Sequence, residues 1–317
     1  MKNRDLLLII IFCMIMLSIL SDSSNGLEKE KENYLILREI KLNESLDNKL
    51  IISAGSSNSW DEHIREIGNI IYNPQTKEYL FFYPAHNGEY KQNNVFVGMA
   101  YSKDGINWEK YGKVLNLSAE DPYVILYNNT FYMFFEDKDE VPFRRTSLAT
   151  SQDARNWTVI KRGIINPNLI GWQSQDVSSP VVLQVDNGWV LIYEGRGSLK
   201  RGSLNQGKFG YAFSKDLIDW EKKKCPIFSG GSYWDNHVVP DDIIQYENNY
   251  IISYHGYNKK IEDWQSGLAI SKDLKKWKTL TNDPISDSST IMLSKDNLQI
   301  KFIEENDKEV KMYSIDF

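Results

Sequence analysis

The sequence predicts an all-β fold, a five-bladed β-propeller, and three observations carry that reading. A seven-residue motif, Ser-Lys/Gln-Asp-x-x-x-Trp, occurs four times and ends at Trp108, Trp157, Trp220 and Trp277. An apolar hairpin precedes each copy. The tail after Ser289 keeps alternating apolar stretches but has no such motif.

The motif starts at Ser102, Ser151, Ser214 and Ser271 lie roughly fifty to sixty residues apart, too far for an ankyrin or leucine-rich unit and right for a four-stranded blade with its loops. Each copy follows a short alternating strand such as Val95 to Tyr101, and its Asp-containing tetrad supplies the turn before the Trp strand. That is the outer hairpin. The inner hairpins run from Ile67 to Tyr83, Tyr123 to Phe135, Val181 to Tyr193 and Ile243 to Tyr254, broken by polar turns such as Asp186-Asn187-Gly188. The four motif Trp residues read as packing between neighbouring blades. A segment at Tyr34 to Ile40 or Leu50 to Ser53 is expected to complete the last sheet, so that the ring has no open edge.

Of 317 residues, 13% are aromatic, with 18 Tyr and 9 Trp, which suits buried rings or a surface that stacks on sugar faces. A formal charge of −6 gives no basic footprint for a polyanion. A carbohydrate partner fits, and nucleic acid does not. Lys2 and Arg4 precede an apolar run from Leu6 to Leu20, the layout of a secretory signal. Residues 1–26 are therefore read as a signal peptide or membrane anchor, and 27–317 as one propeller domain. The expected product is a secreted or extracytoplasmic monomer that meets a membrane only if the segment stays uncleaved. Cleavage removes Cys13 and leaves Cys225, so no intrachain disulfide forms.

In a propeller the start of each inner strand and the end of the next share one rim. The strand starts carry Trp60 to Glu66, Glu120-Asp121-Pro122, Asp176 to Pro180 and Trp234 to Asp242; the returning ends carry His86, Glu136, Glu194 with Arg196, and His255. Several carboxylates around one axis raise each other's pKa, so one holds its proton while another is ionised. Glycosyl transfer needs such a pair. Asp121, Glu66, Asp176, Glu194 and Asp241 are the catalytic candidates. Trp60, His63, Arg65, Trp172, Arg196, Trp234, His237 and His255 are the substrate-binding candidates, with at least one of Trp60, Trp172 and Trp234 stacking on a sugar. The histidines lack helical metal spacing, so no metal or cofactor is expected, a structural Ca²⁺ being left open.

Asp121-Pro122, Ser179-Pro180 with Tyr193-Glu194-Gly195, and the Ser-x-Asp-x-x-x-Trp hairpins resemble five-bladed glycoside hydrolases of families 43, 32 and 130 over roughly Trp60 to Thr281. Glu120-Asp121-Pro122 is similar to a family 130 motif whose Asp is the catalytic acid, with Tyr123 where that family usually has Arg. Family 43 would imply an Asp base on the first blade, where this chain has Glu66. The resemblance implies a family 43-like glycosidase hydrolysing O-glycosyl bonds of an extracellular oligo- or polysaccharide. Two alternatives stay open: a non-catalytic sugar-binding propeller, and a family 130-like phosphorylase with Arg65, Arg196 and Arg144 or Arg145 on phosphate. Export argues against the last, because phosphate is scarcer outside the cell.

Overall fold

The computed structural model describes residues 49–91, 93–137, 143–197, 206–280, 283–287, 289–294, 299–305 and 309–316. The expected leader at 1–26 and the segment Tyr34 to Ile40 lie outside them. Among the described residues no helix is long and apolar enough to cross a membrane.

Alternating apolar runs form antiparallel sheets whose strands follow one another in the chain. The first blade contains β2 (His63–Ile64), β3 (Ile70–Asn73), β4 (Glu78–His86), β5 (Val95–Ser102) and β6 (Glu109–Lys113). The second contains β7 (Glu120–Tyr127), β8 (Thr130–Asp137), β9 (Arg145–Ser151) and β10 (Thr158–Ile165). The third contains β11 (Asp176–Val185), β12 (Gly188–Arg196), β13 (Lys208–Ser214) and β14 (Glu221–Lys222). The fourth contains β15 (Val238–Tyr246), β16 (Asn249–Asn258), β17 (Asp263–Ser271) and β18 (Lys278–Thr279), with β19 (Ser286–Asp287) paired to β17.

A further sheet is assembled from both ends of the described chain, β1 (Lys49–Ser53) lying beside β22 (Glu309–Asp316), then β21 (Gln299–Glu305) and β20 (Ser289–Ser294). Lys49 pairs with Met312 and Ser53 with Glu309. This sheet packs on β15, β16 and β17 through β20. Ile51 and Ile52 reach the first blade's core at Phe81 and Tyr83. The expectation of five blades is corrected to four built on the repeat. The closing sheet has no Ser-x-Asp-x-x-x-Trp hairpin, because its strands come from the two ends rather than from one repeat unit.

The repeat is a self-contained turn. Asp153 Oδ1 accepts the N–H groups of Arg155 and Asn156 at 2.9 and 2.8 Å, and Trp157 Nε1 donates to Ala154 O at 2.8 Å. The residue after each Asp is left-handed: Gly105, Ala154, Leu217 and Leu274 have φ of 72°, 60°, 69° and 60°. Trp157 meets Phe82 and Trp220 meets Phe134, each on the preceding blade, with ring centroids 6.0 and 5.9 Å apart. Trp157 and Trp220 thus pack blade on blade, while Trp108 meets Phe81 of its own blade at 6.1 Å.

A second recurring device sits at the start of the inner strands. Pairing jumps from Glu120↔Glu136 to Tyr123↔Phe134, and from Ser178↔Glu194 to Val181↔Ile192. Glu66, Asp121 and Ser179 are left-handed at φ 47°, 47° and 48°, a region uncommon for non-glycine residues. A bulge of this kind re-aims a side chain out of the strand's alternation. Here three of them turn toward the axis.

Candidate active site

On the axis lies a pocket of about 440 Å³ whose wall includes Arg65, Glu66, Asp121, Arg144, Ser179, Glu194, Arg196, His237, His255, Trp264 and Thr290. A smaller cavity of about 40 Å³ continues from it past Pro122, Pro180, Pro240 and Asp241. Residues far apart in sequence converge because each opens or ends an inner strand.

At its centre the Glu66 and Asp121 carboxyls hydrogen-bond to each other across the first and second blades. Two carboxyls so placed disfavour each other's ionisation. The enclosing walls strip water from Glu66 and raise its pKa well above the usual range, and the Asp121 charge pushes the same way. Burial works against the Asp121 charge too, but hydrogen bonds from Glu66 and Ser179, with Arg144 and Arg65 nearby, bring its pKa below normal. One proton is shared between them.

Around this pair stand three arginines, each held from behind. Arg65 Nε donates to Glu120 Oε2 at 3.0 Å, its Nη2 lies 3.3 Å from Glu66 Oε1, and its guanidinium sits 4.0 Å above the Tyr90 ring. Tyr90 in turn donates to Glu120 Oε1 at 2.9 Å. Arg144 forks onto Glu136, with Nε 3.0 Å from Oε1 and Nη1 3.3 Å from Oε2. Arg196 Nη2 is 3.2 Å from Asp176 Oδ2. A guanidinium carries five N–H donors, so these partners leave others for a ligand.

The far wall is built on Glu194, which accepts from Ser178 Oγ at 2.7 Å and lies 2.5 Å from His237 Nε2. Burial opposes its charge, but Arg196 and His237 bring its pKa down to about 2. His255 Nδ1 is 2.5 Å from Asp241 Oδ1; burial disfavours its charge, yet the Asp241 carboxylate outweighs that and raises its pKa. Because the folded Glu194 pKa is depressed, its stabilising contribution is full above about pH 4.5 and lost as pH falls toward 2. Glu194→Gln is expected to flatten the pH slope of the unfolding free energy in that window, read by urea titrations across it.

Of the expected residues, Glu66, Asp121, Glu194, Arg65, Arg196, His237 and His255 line the pocket, and Asp241 borders the cavity beneath. Others are placed elsewhere. Asp176 does not line the pocket: it accepts the Arg144 backbone N–H at 2.8 Å and holds Arg196. His63 stacks on His86 at 5.1 Å and does not line the pocket. None of the three candidate stacking tryptophans lines the pocket. Trp60 packs beside Tyr83 at 6.0 Å, where a Cβ on Gly98 would strike it. Trp172 covers Gly195 and donates to Lys224 O at 2.9 Å. Trp234 is fully buried against Tyr254 at 5.4 Å. Trp234 thus has no face left for sugar, whereas Trp60 and Trp172 are partly buried and stand outside the pocket wall. Trp234→Ala is expected to cost about 3–5 kcal/mol of stability, measured by chemical denaturation.

Sequence reasoning missed Trp264, which stands edge to face with His237 and His255 at 5.1 and 4.9 Å and is the tryptophan on the pocket wall. Its one signal was a Trp in a blade hairpin outside the repeat. The departure at Tyr123 also has a local account. Its hydroxyl donates to buried Asp242 Oδ1 at 2.8 Å, while Asp242 Oδ2 accepts the Leu293 N–H at 2.9 Å, tying the second blade, the fourth and the closing sheet together below the pocket. Burial pushes Asp242 up to about 6.

Comparison with known proteins agrees with this layout. The profile of the glycoside hydrolase 130 family, described as beta-1,4-mannooligosaccharide phosphorylase, matches residues 68–292, from the first blade into β20. A Beta-1,2-mannobiose phosphorylase of Thermoanaerobacter sp. is 26% identical over 144 residues, 39% of this chain and 47% of that protein; the match spans about half of the relative. A putative glycosidase from Bacteroides thetaiotaomicron superposes with a TM-score of 0.67 at 15% identity, over 85% of this chain and 97% of the other. A thermostable family-43 glycoside hydrolase does so at 0.61 and 16%, over 80% and 88%. At these identities the two structures speak to fold alone. The expectation of a family 43-like glycosidase, a hydrolase of O-glycosyl bonds, is corrected: the matching family and the curated relative are both described as phosphorylases. Among the described residues no group of three or more His, Cys, Asp or Glu is arranged to hold a metal ion.

Proposed function

We infer, because the chain belongs to the beta-1,4-mannooligosaccharide phosphorylase family, glycoside hydrolase 130, that its pocket transfers a glycosyl group from a β-mannoside to inorganic phosphate. The observation that carries this reading is the ring of Arg65, Arg144 and Arg196, each braced by a carboxylate and all lining the pocket that contains Glu66 and Asp121. Guanidinium forks match phosphate oxygens bidentately. Water as a nucleophile needs no such cradle, whereas a phosphate dianion does.

In the proposed reaction a phosphate oxygen forms a bond to the anomeric carbon as the glycosidic C–O bond breaks. The departing oxygen takes the bond's electron pair and the one proton of the Glu66–Asp121 pair. The pair is left doubly ionised beside Arg65 and Arg144, and it regains a proton from solvent after the products leave. His237, His255 and Trp264 supply the sugar-facing wall. The arginines hold the nucleophile and offset the charge that develops, the largest lever available in an enclosed site.

The test is incubation with β-1,4- and β-1,2-linked mannooligosaccharides, with and without inorganic phosphate. Phosphate-dependent release of mannose 1-phosphate is expected; phosphate-independent release of free mannose overturns the reading. We also propose that the enzyme works as an exported monomer. The mass of the chain recovered outside the cell, with residues 1–26 removed or kept, and its size in solution check that part.

A further inference from the structure

We propose that Trp264 is the platform for the departing sugar, the unit released when the transferred group passes to phosphate, and that it sets which acceptor is used in the reverse direction. The proposal rests on the phosphorolysis reading above and deepens it.

The pocket has two chemically different halves. Its arginines, Arg65, Arg144 and Arg196, come from the first, second and third blades. Among the described residues of the wall, Val239 and Trp264 are the apolar ones, and both belong to the fourth blade, on β15 and β17. The blades pack in chain order, and the closing sheet lies between the fourth and the first. The second blade, with the middle arginine, therefore faces the fourth blade and the closing sheet across the axis. In a single displacement at the anomeric carbon the nucleophile enters opposite the leaving group. Phosphate held by the arginines thus puts the departing sugar against the fourth blade.

Trp264 is held firmly in that place. It pairs with Tyr257 across the β16–β17 hairpin, and its backbone N–H donates to Asp263 Oδ1 at 2.8 Å. Its half-buried ring meets those of His237, His255 and Tyr257 edge to face at 5.1, 4.9 and 5.4 Å. Both imidazoles are tied in turn, His237 to Glu194 and His255 to Asp241, at 2.5 Å each. An indole already fixed by three rings loses little freedom when a ligand covers it. A pyranose offers an apolar C–H face, and Trp264 is the large flat apolar surface on the described wall that matches it. Such a surface discriminates by shape, because an axial hydroxyl on the stacked face lifts the sugar away from it.

The experiment reads saturation-transfer NMR on β-1,4-mannobiose, without phosphate, for wild type, Trp264→Phe and Trp264→Leu. In wild type the ring protons of the reducing-end unit should take up the most saturation. Trp264→Leu keeps apolar bulk but no flat face, so it should lose that transfer while the non-reducing unit keeps its own; Trp264→Phe should retain most of it. Losing about 60 Å² of apolar contact corresponds to roughly tenfold weaker binding. In the synthetic direction KM for the acceptor sugar should therefore rise about tenfold in Trp264→Leu, with KM for mannose 1-phosphate changed by no more than about twofold. The preference between mannose and glucose as acceptors should shift by about threefold or more. No preferential transfer to the reducing-end unit in wild type overturns the proposal. So does an equal loss from both sugar units in Trp264→Leu, which is what mere support of His237 and His255 would give, or an unchanged acceptor preference. Saturation transfer needs no turnover, so phosphate-independent release of mannose would end the phosphorolysis reading without deciding which sugar Trp264 holds.

Discussion

Glu66→Gln and Asp121→Asn are each expected to lower kcat for phosphorolysis by on the order of 10²-fold or more, the usual scale for a general acid, while both proteins fold. Each variant removes one of the two carboxyls that share a single proton, and with it the group that acts on the other. Since the pair works through one proton, the effects should not add: the double variant should be no slower than the worse single. The bell-shaped profile of kcat against pH should lose one limb in each single variant. If Asp121→Asn keeps near-wild-type kcat, the pair is not the acid and Asp121 only binds. If the two losses multiply in the double variant, the carboxyls act separately.

The four outer hairpins were legible because everything that builds them is local. The Asp caps the two N–H groups that follow it, the next residue turns left-handed, and the Trp closes back on that residue's carbonyl. The inner hairpins were legible from their alternation. What the sequence hides lies between blades. Glu120 stands next to Asp121 in the chain and reads as its tuning partner, yet it turns to Arg65 and Tyr90 while Glu66 comes across from the first blade. Trp60, Trp172 and Trp234 look like sugar platforms at blade starts, and the glycines they cover lie on the second or third strand of the blade. Hydrolysis is the sequence's first reading because export argues against phosphate, although Arg65, Arg196 and Arg144 or Arg145 already stand as candidates for it. Arg144 reaches the pocket only because Glu136, on the returning inner strand, turns its guanidinium inward and Asp176 of the next blade fixes its backbone. No spacing in the chain announces that three such arginines share one cavity.

Arg144→Ala should show what those braced cations do. Its guanidinium makes two contacts with Glu136, at 3.0 and 3.3 Å, and the Glu136 side chain is 3% exposed. Breaking a buried pair from one side is worse than removing both members, since it leaves a charge without its partner. The single variant is expected to lose about 3 kcal/mol of stability. Arg144→Ala/Glu136→Gln removes the orphaned charge and should recover most of that loss in the same denaturation experiment. Phosphate binding should not follow. Loss of a charge-assisted contact of about 1.5–3 kcal/mol corresponds to a rise in KM for phosphate of about ten- to a hundredfold, and it should appear equally in the single and the double variant. A double variant that regains both stability and phosphate affinity would place Arg144 in the scaffold alone. Stability restored with phosphate affinity still lost would separate its two roles, one toward Glu136 behind it and one toward the anion in front.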